Sequence, residues 1–261
     1  MGDTIPGLKG QIEIGFPEET PRRLRVSIGP GMLRIRPGAS EPWVTGSYYD
    51  VGGIAQPRVE TDAGSTHISQ KGGTLRLSRG VTPNLVLALG TAHPYALTLD
   101  GGANDIRCDL GGLPLTALTG QFGAGRIRID ASSPNPAQME RLQISTGATD
   151  LTMSNLANFN AADIVIDGGA AAFHLDFGGI LQRDCRARIS TGVASLTITL
   201  PRGLAARVKA NTSLGSISIG DGFITRSGGY WTEAALQEGG PVLTLEANAS
   251  LGSLKVRIGE E

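Results

Sequence analysis

Apolar and polar residues alternate along most of the chain, and glycine-rich turns interrupt the alternation at regular intervals. Between residues 97 and 220 one phrase recurs: an alternating segment, a small-residue turn, and a second alternating segment that begins with Ile, Leu or Phe. The phrases are LTLDGGANDIRCDL, TGQFGAGRIRID, LQISTGATDLTM, IVIDGGAAAFHLDF, ARISTGVASLTITL and VKANTSLGSISI. Alternation with period two is typical of β-strands, and no stretch of useful length has a helical period. The pattern therefore predicts an all-β fold.

The first apolar residue after each turn recurs at a nearly constant spacing. These markers are Ile106, Ile127, Leu151, Phe173, Leu196 and Ile217, separated by 21, 24, 22, 23 and 21 residues. Two short strands bury an apolar face only against neighbouring units, so the repeat predicts a β-solenoid with coils of about 22 residues and the markers in one interior column. The next marker, Leu254, comes 37 residues after Ile217. We therefore expect the segment around residues 222 to 240 to loop out of the stack.

Glycine stands four residues before five of the six markers. These glycines are Gly102, Gly123, Gly147, Gly169 and Gly192. Because glycine tolerates positive φ, we expect a common turn with a left-handed residue at this position. The chain has 38 glycines in 261 residues, and without the triplet period of collagen this excess favours repeated tight turns.

The pattern predicts a single domain over residues 1–261. Residues 1–80 are expected to form irregular opening coils and a cap, because LRVSIGPGMLRIRPG, ETDAGSTHIS and GTLRLSRG repeat the phrase less regularly. Regular coils follow over 97–220, then a capping insertion over 221–241 and a closing coil over 242–261. The closing phrase is LEANASLGSLKVRI.

Two groups of aromatic residues lie outside the regular coils. Trp43, Tyr48 and Tyr49 belong to EPWVTGSYYD, which we interpret as an end cap, because an open solenoid end exposes apolar core and unpaired strand edges. Tyr230 and Trp231 lie in the insertion. We interpret them as a plug for the core; the alternative is that they stack on a sugar ring or a protein partner.

Charge and cysteine content exclude several classes of partner. The net charge is −1, so the chain lacks the general attraction to phosphate backbones of a nucleic-acid-binding protein. Cys108 and Cys185 are the only cysteines, and two cysteines are too few for the disulfide framework of a small secreted domain. The longest aliphatic run, residues 85 to 89, is far short of the ~20 residues that cross a bilayer. We expect neither nucleic-acid binding nor membrane insertion by this chain.

No catalytic or metal-binding motif is present in the sequence. His67, His93 and His174 stand far apart without a second ligand at metal spacing, so we predict no metal and no cofactor. Stacking would align Asp109, Asp130 and Asp176 in one outward column beside Arg107, Arg128 and His174. We interpret this column as a charge-neutralising ladder. The alternative is a carbohydrate-active β-helix enzyme that uses paired carboxylates on an acidic polysaccharide.

A cluster of cations is the candidate binding face. Alternation directs Arg186, Arg188, Arg207 and Lys209 outward from what we take to be neighbouring coils, with Asp163 and Asp167 one coil earlier. One interpretation is contact with an acidic polymer or an acidic protein. The other is protection of the sheet edge with partial pairing to the two aspartates.

These phrases resemble the toast-rack domain of LiaF-like cell-wall-active antibiotic response proteins and related adhesin-like β modules. The resemblance rests on LRVSIGPGMLRI, LGGLPLTALTGQFGAGRIRIDA, ISTGATDL, ISTGVASL and the ending SGGYWTEAALQEGGPVLTLEANASLGSLKVRI. It implies a stacked β fold and a non-catalytic bacterial module linked to envelope stress. It also implies a cytoplasmic location, or attachment to the cytoplasmic membrane through segments outside this sequence. A self-assembling scaffold joined through exposed end coils, with the chain as a homo-oligomer, is a further hypothesis.

Overall fold

The computed structural model describes residues 7–51, 56–70, 83–226, 228–237 and 239–259. The described residues form sixteen strands. The strands are β1 (Gly7–Ile14), β2 (Arg23–Ile28), β3 (Gly31–Pro37), β4 (Val44–Val51), β5 (Arg58–Asp62), β6 (Ser65–Gln70), β7 (Asn84–Leu89), β8 (Tyr95–Asp109), β9 (Leu115–Asp130), β10 (Met139–Ser154), β11 (Ala161–Asp176), β12 (Cys185–Leu200), β13 (Ala206–Ile219), β14 (Phe223–Arg226), β15 (Gly229–Thr232) and β16 (Leu243–Ile258). Two single-turn 3₁₀ helices, Leu156–Phe159 and Glu233–Leu236, are the only helices among them. The all-β prediction is confirmed.

Seven long strands pair in parallel and hold the markers in register. Their order in the sheet is β8, β9, β10, β11, β12, β16 and β13. Ile106, Ile127, Leu151, Phe173, Leu196, Leu254 and Ile217 follow one another as direct cross-strand partners. The closing strand β16 therefore lies between β12 and β13, whereas the sequence order predicts that β13 follows β12 directly.

The interior column is buried except at its last member. Phe173 and Leu196 are fully buried, and Leu254 is 1% exposed, but Ile217 is 37% exposed. The prediction of a buried Ile217 is therefore wrong. The reason is its place in the stack: β13 is the last long strand, and its outer neighbour β15 pairs only with Arg207 and Val208.

Close approach of neighbouring turns, and not positive φ, requires glycine at four of the five predicted positions; Gly102, in the first turn, has open space around it. None of the five predicted glycines has a left-handed backbone; the left-handed glycines of these turns include Gly125 and Gly252. A Cβ at Gly147 would lie 2.6 Å from the carbonyl oxygen of Gly123, and one at Gly169 would lie 2.6 Å from that of Gly147. Each turn therefore packs its backbone directly against the turn before it.

The N-terminal strands close the other end of the stack. β2 and β3 pair in parallel with the first and second halves of β8, so together they continue the stack. β7 pairs in parallel with β3, and β4 and β1 then extend the sheet with antiparallel pairs. The predicted phrase ETDAGSTHIS forms the β5–β6 hairpin. The phrase GTLRLSRG at 73 to 80 lies outside the described residues.

Both thiols are buried, and this predicts their reactivity. Burial raises the pKa of the Cys108 thiol and that of the Cys185 thiol to about 12. Because the thiolate is the nucleophile, we expect neither cysteine to react with iodoacetamide at pH 8 in the native protein, while both react in denaturant. Mass spectrometry of the alkylated peptides measures this. Rapid labelling of either cysteine under native conditions would contradict the burial.

Candidate functional site

The four predicted cations lie on one outer face of the sheet. Ala187, Ile189 and Val208 are buried in the core, and the residues between and beside them point the other way. Arg186, Arg188, Arg207 and Lys209 are all exposed. A shift of one residue would bury these cations, so the apolar residues fix which face they occupy.

A third strand separates the two pairs of cations. Arg186 and Arg207 are both direct partners of Thr244 on β16, and Arg188 and Lys209 are both direct partners of Glu246. The prediction that the two pairs occupy adjacent coils is therefore wrong. With strands ~4.8 Å apart, the backbones of the two pairs lie about 10 Å apart. Glu246 is thus a central carboxylate that the sequence analysis missed.

These residues surround a pocket of about 330 Å³. Its lining includes the four cations, Thr244 and Glu246 together with Ala187, Val208 and Leu245. The side chains of these last three residues are buried in the core on the opposite side of the sheet, so the strand backbone forms the floor of the pocket. Trp231 and Gly229 of β15 complete the lining. The pocket therefore has a floor of strand backbone and a rim of charged side chains, and four cations around one cavity favour an anionic group.

Trp231 belongs to this face and not to the core. It is the antiparallel partner of Arg207, and the Arg207 guanidinium carbon lies 4.5 Å from the centroid of its ring. Arg226 lies 5.7 Å from the same ring. Tyr230, by contrast, packs half-buried against the core. The plug interpretation thus fits Tyr230, whereas Trp231 orients arginine at the edge of the pocket.

Within the described part of the chain, none of the four cations forms an ion pair. The ion pairs there are Arg25–Asp100, His93–Glu41 and Arg107–Asp105. Asp163 is the direct partner of Arg186 along the sheet, and Asp167 is the partner of Ser190, but neither carboxylate comes within ion-pair distance of a cation. The pairing expected with these aspartates does not form, and the pocket lining holds four cations and one carboxylate, that of Glu246.

The outward aspartates of the other face serve the turns. Asp109 accepts hydrogen bonds from the Gly111 and Ser132 amides at 3.0 and 3.2 Å and from the Ser132 hydroxyl at 2.7 Å. Asp130 accepts one from the Asn155 amide group at 2.8 Å, and Asp176 accepts one from the Gly178 amide at 3.2 Å. The carboxylates therefore fix the chain after each strand instead of forming the predicted ladder of Asp–Arg pairs. In the described residues, no cluster of His, Cys, Asp and Glu could hold a metal ion.

The predicted N-terminal cap residues have different environments. Trp43 is fully buried, with its ring stacked on Phe16 at 5.5 Å and edge-on to Tyr95 at 5.6 Å. Tyr48 is half-buried against the core, and Tyr49 is 36% exposed. Trp43 thus anchors the end of the core, and Tyr49 lies at its surface.

A family model describes the first half of the molecule. The model for the N-terminal domain of toast_rack, DUF2154, matches residues 9–154. The chain belongs to the toast-rack family. No curated protein matches the sequence.

A solved structure of a bacterial protein shares the fold of this toast-rack protein, and others are similar to it over most of the chain. A candidate cell adhesion protein from Clostridium sporogenes superposes with a TM-score of 0.51 at 14% identity, over 97% of this chain and 100% of that one. A candidate adhesin from Bacteroides fragilis gives a TM-score of 0.47 at 10% identity, over 97% and 98% of the two chains. At 14% identity the comparison with the Clostridium sporogenes protein establishes the architecture alone. Within the described residues, no helix has the length and apolar composition needed to cross a membrane.

Proposed function

We propose that this toast-rack protein is a non-enzymatic structural and interaction module that binds an acidic polymer through the cationic pocket. The observation that carries the proposal is the group of four exposed cations without ion pairs around one pocket. We further infer a solenoid with coils of about 22 residues, in keeping with the register of the seven long strands, and a role in the bacterial envelope stress response, in keeping with the family.

The charge balance of the pocket favours an anionic ligand. Four cations and one carboxylate line it, so the cations repel one another across the pocket and an anion between them relieves that repulsion. Arginine guanidinium groups hold carboxylate and phosphate oxygens with paired N–H donors. A polymer with one anionic group per unit can use both cation pairs, which lie on either side of Glu246.

Trp231 holds two arginine side chains in place at the rim of the pocket. Its contact with Arg207 and Arg226 limits the conformations of two flexible side chains before a ligand binds. A preordered cation loses less side-chain entropy on binding. The hydrogen bonds of Asp109, Asp130 and Asp176 with the turns support a structural role for these carboxylates and not a catalytic one.

Charge reversal tests the binding face. We expect Arg186→Glu with Arg207→Glu to weaken binding of polygalacturonate or polyphosphate at least about tenfold, because each reversal replaces an attraction with a repulsion. Wild-type binding should fall as salt rises, since exposed charges are screened beyond ~8–10 Å at physiological ionic strength. Titration calorimetry over a salt series measures both effects.

The matched control is Arg126→Glu with Arg128→Glu, which changes the net charge equally on exposed positions of β9. It should leave binding within about twofold of wild type, while Glu246→Gln should strengthen binding by removing the central carboxylate. Equal loss in the two double variants would assign binding to net charge. No affinity of the wild type for either polymer, or affinity that survives the first reversal, would exclude this pocket.

A further inference from the structure

One edge of the sheet is left uncovered along the far part of β13. On one side β13 pairs with β16 from Ala206 to Ile219. On the other side β15 pairs only with Arg207 and Val208, and no other described strand takes its place. The backbone N–H and C=O groups on that side therefore lack strand partners from residue 209 to 219 within the described chain, which leaves an edge open to another strand.

This edge lacks the features that protect other edges from pairing. Its sequence over 210–219, ANTSLGSISI, contains no charged residue and no proline. The edge strand β5 instead carries Arg58, Glu60 and Asp62, all exposed. The edge strand β14 is only four residues long and ends on the exposed Arg226. Charge and short length block edge-to-edge association, so the neutral edge of β13 is the exception.

The core is also open at this end. Ile217 is 37% exposed, whereas its partner Leu254, one strand deeper, is 1% exposed. Ala210 and Ile219 are half-buried, whereas their partners Ala247 and Val256 are fully buried. At the corner between the two halves of β13, Leu214 is 70% exposed. Covering this end would bury apolar surface that the chain itself leaves in water.

We propose that a second copy of this chain covers this end by antiparallel pairing of the two β13 edges about a two-fold axis. The pairing uses residues 209–218 of the open edge, and the centre of this segment lies between Ser213 and Leu214. With the axis at that centre, Ala210 lies opposite Ile217 of the second copy. Both are interior positions, and paired residues of antiparallel strands point to the same side. The pairing therefore joins the two open cores.

The chemistry of the edge favours a copy of itself over a strand of different sequence. A two-fold contact brings each segment against its own sequence, so a charged edge would risk repelling itself. Here Lys209 is the only charged residue in the segment, and the axis places it opposite Ser218. Like charges do not meet in this arrangement.

The mass of the protein in solution and a charge-mixing experiment test the proposal. Sedimentation of the wild-type chain should give a species of about twice 27.1 kDa. Leu214→Lys and Leu214→Glu should each be monomeric, because the two copies of residue 214 lie beside the axis and repel. An equimolar mixture of the two variants should recover the dimer, since opposite charges then face one another.

The control variant is Ile180→Lys, at an apolar residue that is 62% exposed outside β13, and it should remain dimeric. Circular dichroism of every variant should match that of the wild type, since Leu214 is an exposed side chain. A monomeric wild type, a dimer that survives both single Leu214 variants, or a mixture that stays monomeric would each overturn the proposal. If the dimer forms in the mixture and in neither variant alone, the strand that covers β13 belongs to a second copy of this chain. A strand of a different protein would bind one of the two charged variants poorly, and mixing the variants would not restore its binding.

Discussion

Replacing Phe173 with alanine is expected to lower the free energy of unfolding by about 3–5 kcal/mol. Phe173 is fully buried between Leu151 and Leu196 in the interior column. Its ring also occupies the space beside Gly168 where a Cβ would otherwise stand. Since neighbours on both sides are held in register by the sheet, they cannot collapse into the cavity that alanine leaves. Urea denaturation followed by circular dichroism measures the change.

The comparison variant for Phe173 is Ile180→Ala. Ile180 is 62% exposed, so removing its side chain should change stability by no more than about 0.5 kcal/mol. A Phe173→Ala variant that unfolds at the same urea concentration as the wild type would show that this side chain does not hold the stack together.

The strands and most of their register were predictable from the sequence. The alternation of apolar and polar residues indicates which side chains point inward. The nearly constant spacing of the markers indicates which residues of successive coils are partners, such as Ile127 with Leu151 and Phe173 with Leu196. The position of β16 was not predictable in this way. A parallel strand offers the same backbone hydrogen bonds to any neighbour, and Leu254 fits the interior column in either order. The long insertion lets the chain return and place β16 between β12 and β13.

The candidate site was predictable in its cations and not in its arrangement. Buried neighbours such as Ala187 and Val208 fix the outward direction of the arginines from sequence alone. The central Glu246 depends on the position of β16, and the contact of Trp231 with Arg207 depends on where the β14–β15 hairpin docks. Both are contacts between distant segments, which a repeat pattern does not specify. The unusually long gap before the last repeat is the feature of the sequence that could have suggested a strand order in which β16 lies between β12 and β13.

Substituting a turn glycine is expected to have the second large effect on stability. We expect Gly147→Ala to destabilise the protein by about 1–3 kcal/mol, the usual range for overpacking. The new Cβ would lie 2.6 Å from the carbonyl oxygen of Gly123, which is a backbone atom held by the sheet and cannot rotate away as a side chain could. Relief therefore requires two neighbouring turns to separate. Urea denaturation of the variant measures the loss.

Gly102→Ala is the matched substitution, because Gly102 occupies the same position of its turn at the start of the ladder. A Cβ there would meet no atom within 4 Å, and its φ is outside the left-handed range. Alanine should therefore be tolerated, or should stabilise by up to about 1 kcal/mol by restricting the unfolded chain. If positive φ were the reason for glycine, both substitutions would cost the same. A loss at Gly147 without a loss at Gly102 assigns the glycine requirement to contact between successive turns, whereas equal losses would contradict that assignment.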